Sequence, residues 1–238
     1  MTPEQAQAIV ELRAKNLAPK QIARQLGLRP AEVTAALKTL AQQQASDRTA
    51  TGILAPVHQC LINQGALPYL QGNAAPASEP APPADEDNPD AGIAVIILAR
   101  TAGFNRLDVC TYLVDFWCLG VKDTSGPRRM DPSEFKDFVD YAYQPFTTGF
   151  TEIALELAQA IVFGALEYAK QLGFEPHRDF AATQPLLGEW SGQPKLQFGR
   201  HGQPFYINGP YDNPMKILKT LRETVGEGNF DYAIGDGR

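Results

Sequence analysis

Apolar residues near the start of the chain recur with the spacing of short helices. Ala8, Ile9 and Leu12 would share one helical face, and proline, which is favoured in a first helical turn, stands at residues 3, 19 and 30. The spacing predicts three successive helices: over residues 3–15, from residue 19, and from residue 30 to about residue 44.

The segment from Ile22 to Leu37, IARQLGLRPAEVTAAL, has the pattern of a helix-turn-helix. Ala23 is small where the second helix would lie close to the third, and Gly27 stands at the turn, where a left-handed conformation is often needed. The remaining apolar positions that would hold the helices together are Leu26, Leu28 and Val33. Since such units normally lay their last helix in the DNA major groove, the leading hypothesis is a nucleic-acid partner.

Further along, the pattern changes to that of strands mixed with helices. VHQCLINQGALPYL predicts a strand and a short helix, and GIAVIILAR and LDVCTYLVDFWCLGV predict a hairpin joined by TAGFNR. Asp131 to Glu134 is a capping box that opens a helix to about Tyr143. A long helix is expected over Thr151–Leu172, with Gly164 at a close backbone approach.

Near the C-terminal end, KLQFGRHGQPFYING predicts a second hairpin turning at His201-Gly202. A helix follows from Asn213-Pro214, and NFDYAI predicts a last strand. The fold class is therefore α+β: an N-terminal tri-helical helix-turn-helix domain plus a larger domain with antiparallel hairpins and packed helices. The predicted organisation is a domain over 1–45, a linker over 46–55, and a domain over 56–238 with a disordered acidic Pro/Ala-rich insertion at 71–92.

Charge is spread unevenly along the chain. Through Arg48, seven Lys and Arg face four Asp and Glu, giving +3, although the whole chain carries −6. No run of about 18 apolar residues suggests a membrane span, and the first residues lack a secretory pattern. The three cysteines form no CxxC pair, which argues against a disulfide framework or zinc ribbon. We expect a cytoplasmic protein with no membrane partner and no cofactor.

The cationic side chains of the predicted helix-turn-helix favour phosphate contacts. Only Arg29 could make a bidentate contact to guanine, whereas Lys20, Arg24 and Lys38 suit phosphates. Thr34 lies among the base-reading positions, but its neighbours include Ala31, Glu32 and Ala35. We expect DNA binding with little sequence specificity from this unit alone.

Four polar residues of the larger domain are candidates for catalysis. Asp115 interrupts an apolar strand, Asp123 would fall on the same side of that strand, and His177 and Asp179 lie together in PHRDF. Such a set could hold a divalent metal that activates water. The spacing is not diagnostic, so no metal is predicted, and the favoured interpretation is structural: Asp115 accepts backbone or Arg106 hydrogen bonds. GVKDTSGPRR is expected to be an exposed basic loop. Cys110 and Cys118, which lie among aromatic residues of the predicted strand, are expected to be apolar filler.

Several segments of the larger domain resemble an uncharacterised bacterial family. They are VHQCLIN, YLVDFWCLGVKDT, IVFGALEYAKQLGFEPHRDF, FGRHGQPFYINGPYD and TVGEGNFDY, between about Pro56 and Ile234. The family shares motifs like YLVDxxCLGVKD and LGFxPHxDF, sometimes beside a SecA-type zinc motif that is absent here. The resemblance places Asp115, Lys122, Asp123, His177 and Asp179 within these motifs, and it implies no known activity.

Together these patterns predict a nucleic-acid-associated accessory or regulatory protein whose larger domain binds a partner or ligand. Two alternatives stay open. One is a metal-dependent nuclease or hydrolase that uses Asp115, Asp123, His177 and Asp179. The other is a protein-interaction adaptor that binds no nucleic acid. The pattern does not predict an oligomeric state.

Overall fold

A computed structural model describes residues 2–15, 17–51, 54–70 and 92–234, with the backbone alone at 3, 14 and 41–51. The architecture is mixed α+β, as predicted, with a helical N-terminal unit and a larger unit built on a five-stranded sheet. We call residues 2–40 the head and residues 54–234 the body.

The three helices of the head follow the predicted pattern. They are α1 Pro3–Ala14, α2 Pro19–Leu26 and α3 Pro30–Thr51. The backbone of α3 continues past the predicted end near Gln44, because alanine and glutamine favour a helix and neither proline nor glycine intervenes before residue 52. Residues 52 and 53 of the predicted linker lie outside the described residues.

The body alternates strands with helices. In order they are β1 Val57–Asn63, a 3₁₀ turn Gln64–Ala66, α4 Leu67–Leu70, β2 Ile93–Thr101, β3 Leu107–Asp115, β4 Gly120–Met130, α5 Pro132–Tyr143, β5 Phe150–Glu152, α6 Leu155–Gln171, α7 Phe180–Leu187, β6 Phe205–Ile207, α8 Pro214–Thr224 and β7 Asp231–Ala233. Of the insertion predicted to be disordered at 71–92, all but Gly92 lies outside the described residues.

The main sheet has the strand order β4-β3-β2-β1-β5 and is antiparallel throughout. The predicted hairpin of β2 and β3 is confirmed, with Thr101 opposite Leu107. The predicted helix start at Thr151 is wrong, because this residue pairs with Ile62 of β1 and the helix begins only at Leu155. An edge strand thus uses residues whose local pattern alone favours a helix.

The predicted strand through Asp115 also ends earlier than expected. The chain reverses after Asp115, which pairs with Gly120 at the start of β4. Gly120 has a φ of 68°, a left-handed conformation that suits glycine. The expectation that Asp115 and Asp123 share one side of one strand is therefore wrong, since they lie on neighbouring strands. The expected basic loop is likewise strand β4.

The second predicted hairpin forms only its turn. His201 and Gly202 have φ values of 55° and 82°, and a single bridge joins Arg200 to Gln203. Instead of an antiparallel arm, β6 pairs in parallel with β7, the predicted last strand. The turn residues encode the reversal locally, whereas the partner of β6 comes from the far end of the chain.

Both faces of the main sheet are buried, which explains the nearly continuous apolar runs of its central strands. One face packs against α6 and α7 through residues that include Ile96, Leu98, Tyr112, Val114, Ile161, Ala165 and Phe180. The other packs against α5 through Leu61, Ile97, Ala99, Val109, Phe135, Val139 and Tyr143. A third cluster joins α8 to the end of α6 and includes Leu172, Tyr206, Leu218 and Leu221.

Candidate nucleic-acid interface and polar sites

The head has the turn geometry that its sequence predicts. Ile22 and Ala23 of α2 are buried, and Gly27 ends that helix in the left-handed conformation with a φ of 66°. The Leu28 amide donates to the Ala23 carbonyl over 2.9 Å, which closes the turn before α3. Val33 of α3 packs into the same cluster, so the second and third helices are held by their inner faces.

The outer faces of α2 and α3 carry the predicted nucleic-acid residues in exposed positions. Lys20 and Arg24 are one turn apart on α2, and Thr34 and Lys38 are one turn apart on α3. Among the described residues, Lys20, Arg24 and Lys38 form no ion pair. All three cations are therefore exposed to solvent.

Arg29 differs from these cations, because Glu32 already binds it. Its guanidinium Nη2 lies 2.6 Å from Oε1 of Glu32, and its backbone N–H donates to Oε2 over 3.0 Å. The hydrogen bond from Arg29 lowers the pKa of the Glu32 carboxyl. The hydroxyl of Thr34 likewise donates to the Pro30 carbonyl over 2.9 Å. The two residues best suited to reading bases thus have partners within α3.

Asp115 organises the turn between β3 and β4. Its Oδ1 accepts hydrogen bonds from the backbone N–H groups of Trp117 at 3.0 Å and Cys118 at 2.9 Å. Burial raises the pKa of the Asp115 carboxyl to about 6, while the nearby Lys122 and the turn N–H groups act in the opposite direction. Of the structural partners expected for Asp115, the backbone is confirmed, whereas Arg106 lies near Asp131 instead.

The other three catalytic candidates lie next to one another at the surface. His177 Nδ1 is 3.8 Å from Asp123 Oδ1 and 3.8 Å from Asp179 Oδ2. The backbone N–H of His177 donates to the Val121 carbonyl over 2.9 Å, which fixes the loop beside β4. The Asp115 carboxylate instead points into the β3–β4 turn, where it accepts hydrogen bonds from backbone N–H groups. Any catalytic role of these residues stays a prediction.

The sequence patterns do not predict a partly buried ion pair that lies beside the β3–β4 turn. The Nζ atom of Lys122 lies 2.8 Å from Oδ2 of Asp212, and their side chains are only 16% and 12% exposed. The same oxygen accepts from the Gly209 N–H at 2.8 Å and from the Tyr206 hydroxyl at 3.3 Å. A register shift in β4 places Lys122 between the paired residues Val121 and Asp123. No spacing signal connects residues so distant in the chain.

A cavity of about 530 Å³ lies between α6 and residues 190–198. Aromatic walls come from Tyr168, Trp190 and Phe198, and charged side chains from Glu167 and Lys195. Gly164 allows the Phe198 ring to pack directly on α6, because a Cβ atom there would lie 2.6 Å from that ring; this is the close approach predicted at Gly164. The volume suits a small ligand.

Within the described ranges, no group of three or more His, Cys, Asp and Glu side chains is arranged to hold a metal ion, and no helix is long and apolar enough to span a bilayer. The chain matches no protein-family model, no curated protein and no solved structure.

Proposed function

We propose that the protein is a nucleic-acid-associated accessory or regulatory protein whose head contacts DNA mainly through phosphates. The observation that supports the proposal is the exposure of the cationic residues on the outer faces of α2 and of α3 up to residue 40. Their inner faces are buried in the head cluster, while Lys20, Arg24 and Lys38 are exposed. Phosphate contacts from lysine and arginine supply most of the affinity of weakly specific DNA binding.

Low sequence specificity is the expected character of this binding. Arg29 and Thr34 have partners within α3, and the neighbouring reading positions hold Ala31 and Ala35. Alanine can contact a thymine methyl group but offers no hydrogen bond to a base edge. The head would thus position the protein on DNA, and the body, with its cavity beside α6, would bind a partner or ligand.

Salt-dependent DNA binding tests the proposal. A short fluorescent duplex of mixed sequence is titrated with the full chain, and anisotropy is followed between roughly 50 and 200 mM salt. Replacing Lys20→Ala and Arg24→Ala together should flatten the slope of log affinity against log salt by about 2, because each phosphate contact contributes about 0.9.

The matched control is Lys136→Ala with Lys216→Ala, two exposed lysines of the body that change the net charge equally. Their removal should leave the slope unchanged within error. Equal weakening by both pairs would mean general charge attraction and would contradict a head-specific interface. No binding even at low salt would favour the adaptor alternative.

A further inference from the structure

An aromatic residue forms the tip of the hairpin between β2 and β3. Phe104 stands between Gly103 and Asn105, whose φ values of 107° and 50° both lie in the left-handed region. The Ala102 N–H donates to the Arg106 carbonyl over 2.8 Å, which closes the turn. The backbone therefore holds Phe104 at the apex of a short, closed loop.

Phe104 packs against the head, although it belongs to the body by sequence. It is partly buried against the head cluster, whose buried members are Ile9, Ile22, Ala23, Val33, Ala36 and Leu37. It is absent from all three clusters of the body. A large apolar side chain at a loop tip would otherwise be exposed to water, and the head shields part of it from solvent.

The head contributes a cation to the same contact. The guanidinium of Arg13 lies 5.8 Å from the centroid of the Phe104 ring, within the range of a cation–π interaction. Arg13 also donates through Nη1 to the Leu17 carbonyl over 3.1 Å, which fixes its side chain at the end of α1. The contact thus combines apolar burial with an oriented charge.

We infer that Phe104 is a docking anchor that couples the head to the body and leaves the outer face of α2 and α3 free. Lys20, Arg24 and Lys38 stay exposed while Phe104 is docked. The body is therefore held to the head without covering its three free cations. This coupling does not depend on whether the head binds nucleic acid.

Nuclear magnetic resonance relaxation of the full-length ¹⁵N-labelled chain tests the anchor. In the native chain, amides of the head and of the body should report the same rotational correlation time. Phe104→Asp should release the head, whose correlation time should fall about twofold because a small unit tumbles faster than a large one. Phe104→Leu keeps an apolar side chain and should retain most of the coupling.

Tyr211→Asp is the matched control, because Tyr211 is an aromatic loop residue that is 98% exposed. It should leave the coupling intact. Unchanged fluorescence of Trp117 and Trp190 would show that the body of each variant remains folded, since both tryptophans lie there. Independent tumbling of the native head, or a head still coupled in Phe104→Asp, would overturn the inference.

The DNA titration separates this inference from the proposed function. Phe104→Asp should bind the short duplex within about twofold of the native chain, because Phe104 contacts the head cluster and Arg13 while Lys20, Arg24 and Lys38 are exposed. A coupled head that binds no DNA would refute only the nucleic-acid proposal. A head that binds DNA but is uncoupled in the native chain would refute only the anchor.

Discussion

The head and the body bury their apolar residues in different ways. The head has one small cluster on the inner faces of three helices, and its outer face remains polar. The body buries both faces of its sheet, encloses Asp115, and partly buries the pair of Lys122 and Asp212. The head is thus specified mainly by neighbours in sequence, whereas the body depends on contacts between distant segments.

Two glycines with nearly the same backbone conformation show this difference at single residues. Gly27 in the head has a φ of 66°, and a Cβ atom there would meet nothing within 4 Å. Gly120 in the body has a φ of 68°, and a Cβ atom there would lie 2.7 Å from Ala169 Cβ and 2.9 Å from the Ala165 carbonyl oxygen. Of these two glycines, only Gly120 combines the backbone requirement with close packing.

Gly120→Ala should give the largest effect, a loss of about 4 kcal/mol in the free energy of unfolding of the body. The new methyl group would push against the backbone of α6 in addition to straining φ. Urea unfolding followed by tryptophan fluorescence reports the body alone, because both tryptophans lie in it. Gly228→Ala is the control, since Gly228 has a φ of 82° with nothing within 4 Å of its Cβ position. Equal losses from the two variants would contradict a packing effect.

Asp115→Asn should change the pH dependence of stability, by about 2 kcal/mol between pH 4 and pH 7. Burial raises the pKa of Asp115 to about 6. The folded state therefore holds this proton more tightly than the unfolded chain, and the group destabilises the fold as pH rises through about 4 to 6. Asparagine keeps an acceptor for both turn N–H groups and does not titrate. Relative to the native chain, the variant should gain stability over that range.

Asp131→Asn serves as a comparison, because the pKa shift of Asp131 has the opposite sign to that of Asp115. Hydrogen bonding at the start of α5, first from the backbone of Glu134, lowers the pKa of Asp131. Ionised Asp131 therefore raises the free energy of unfolding at pH values above the ordinary pKa of aspartate, and this stabilisation is lost as pH falls. The variant should accordingly be less stable than the native chain at neutral pH. Urea unfolding across the pH range measures both variants. Parallel pH curves for the native chain and Asp115→Asn would contradict a raised pKa of Asp115.

The same contrast explains what could be predicted from sequence. The helices of the head, the β2–β3 hairpin and the capped start of α5 follow from local spacing and turn residues, and each is confirmed. The strand at Phe150–Glu152 was not predicted, because β1, far away in the chain, supplies its hydrogen-bond partners. For the same reason, Asp212 could not be assigned to Lys122. The candidate nucleic-acid residues of the head could be named from the local sequence pattern. The contacts of the polar residues in the body could not, because they join segments that are far apart in the chain.

Gly27→Ala should give the smallest effect, a loss of about 1 kcal/mol that is confined to the head. Alanine would strain the left-handed end of α2 but would meet no neighbouring atom. Residues 1–55 contain no aromatic side chain, so tryptophan fluorescence reports unfolding of the body alone. The urea concentration at the midpoint of that unfolding should not change. Hydrogen exchange of the Val33 and Leu37 amides should quicken about fivefold, as that loss in free energy implies. A shift of the body transition instead would mean that the two units unfold together, and that docking at Phe104 joins their stabilities as well as their motion.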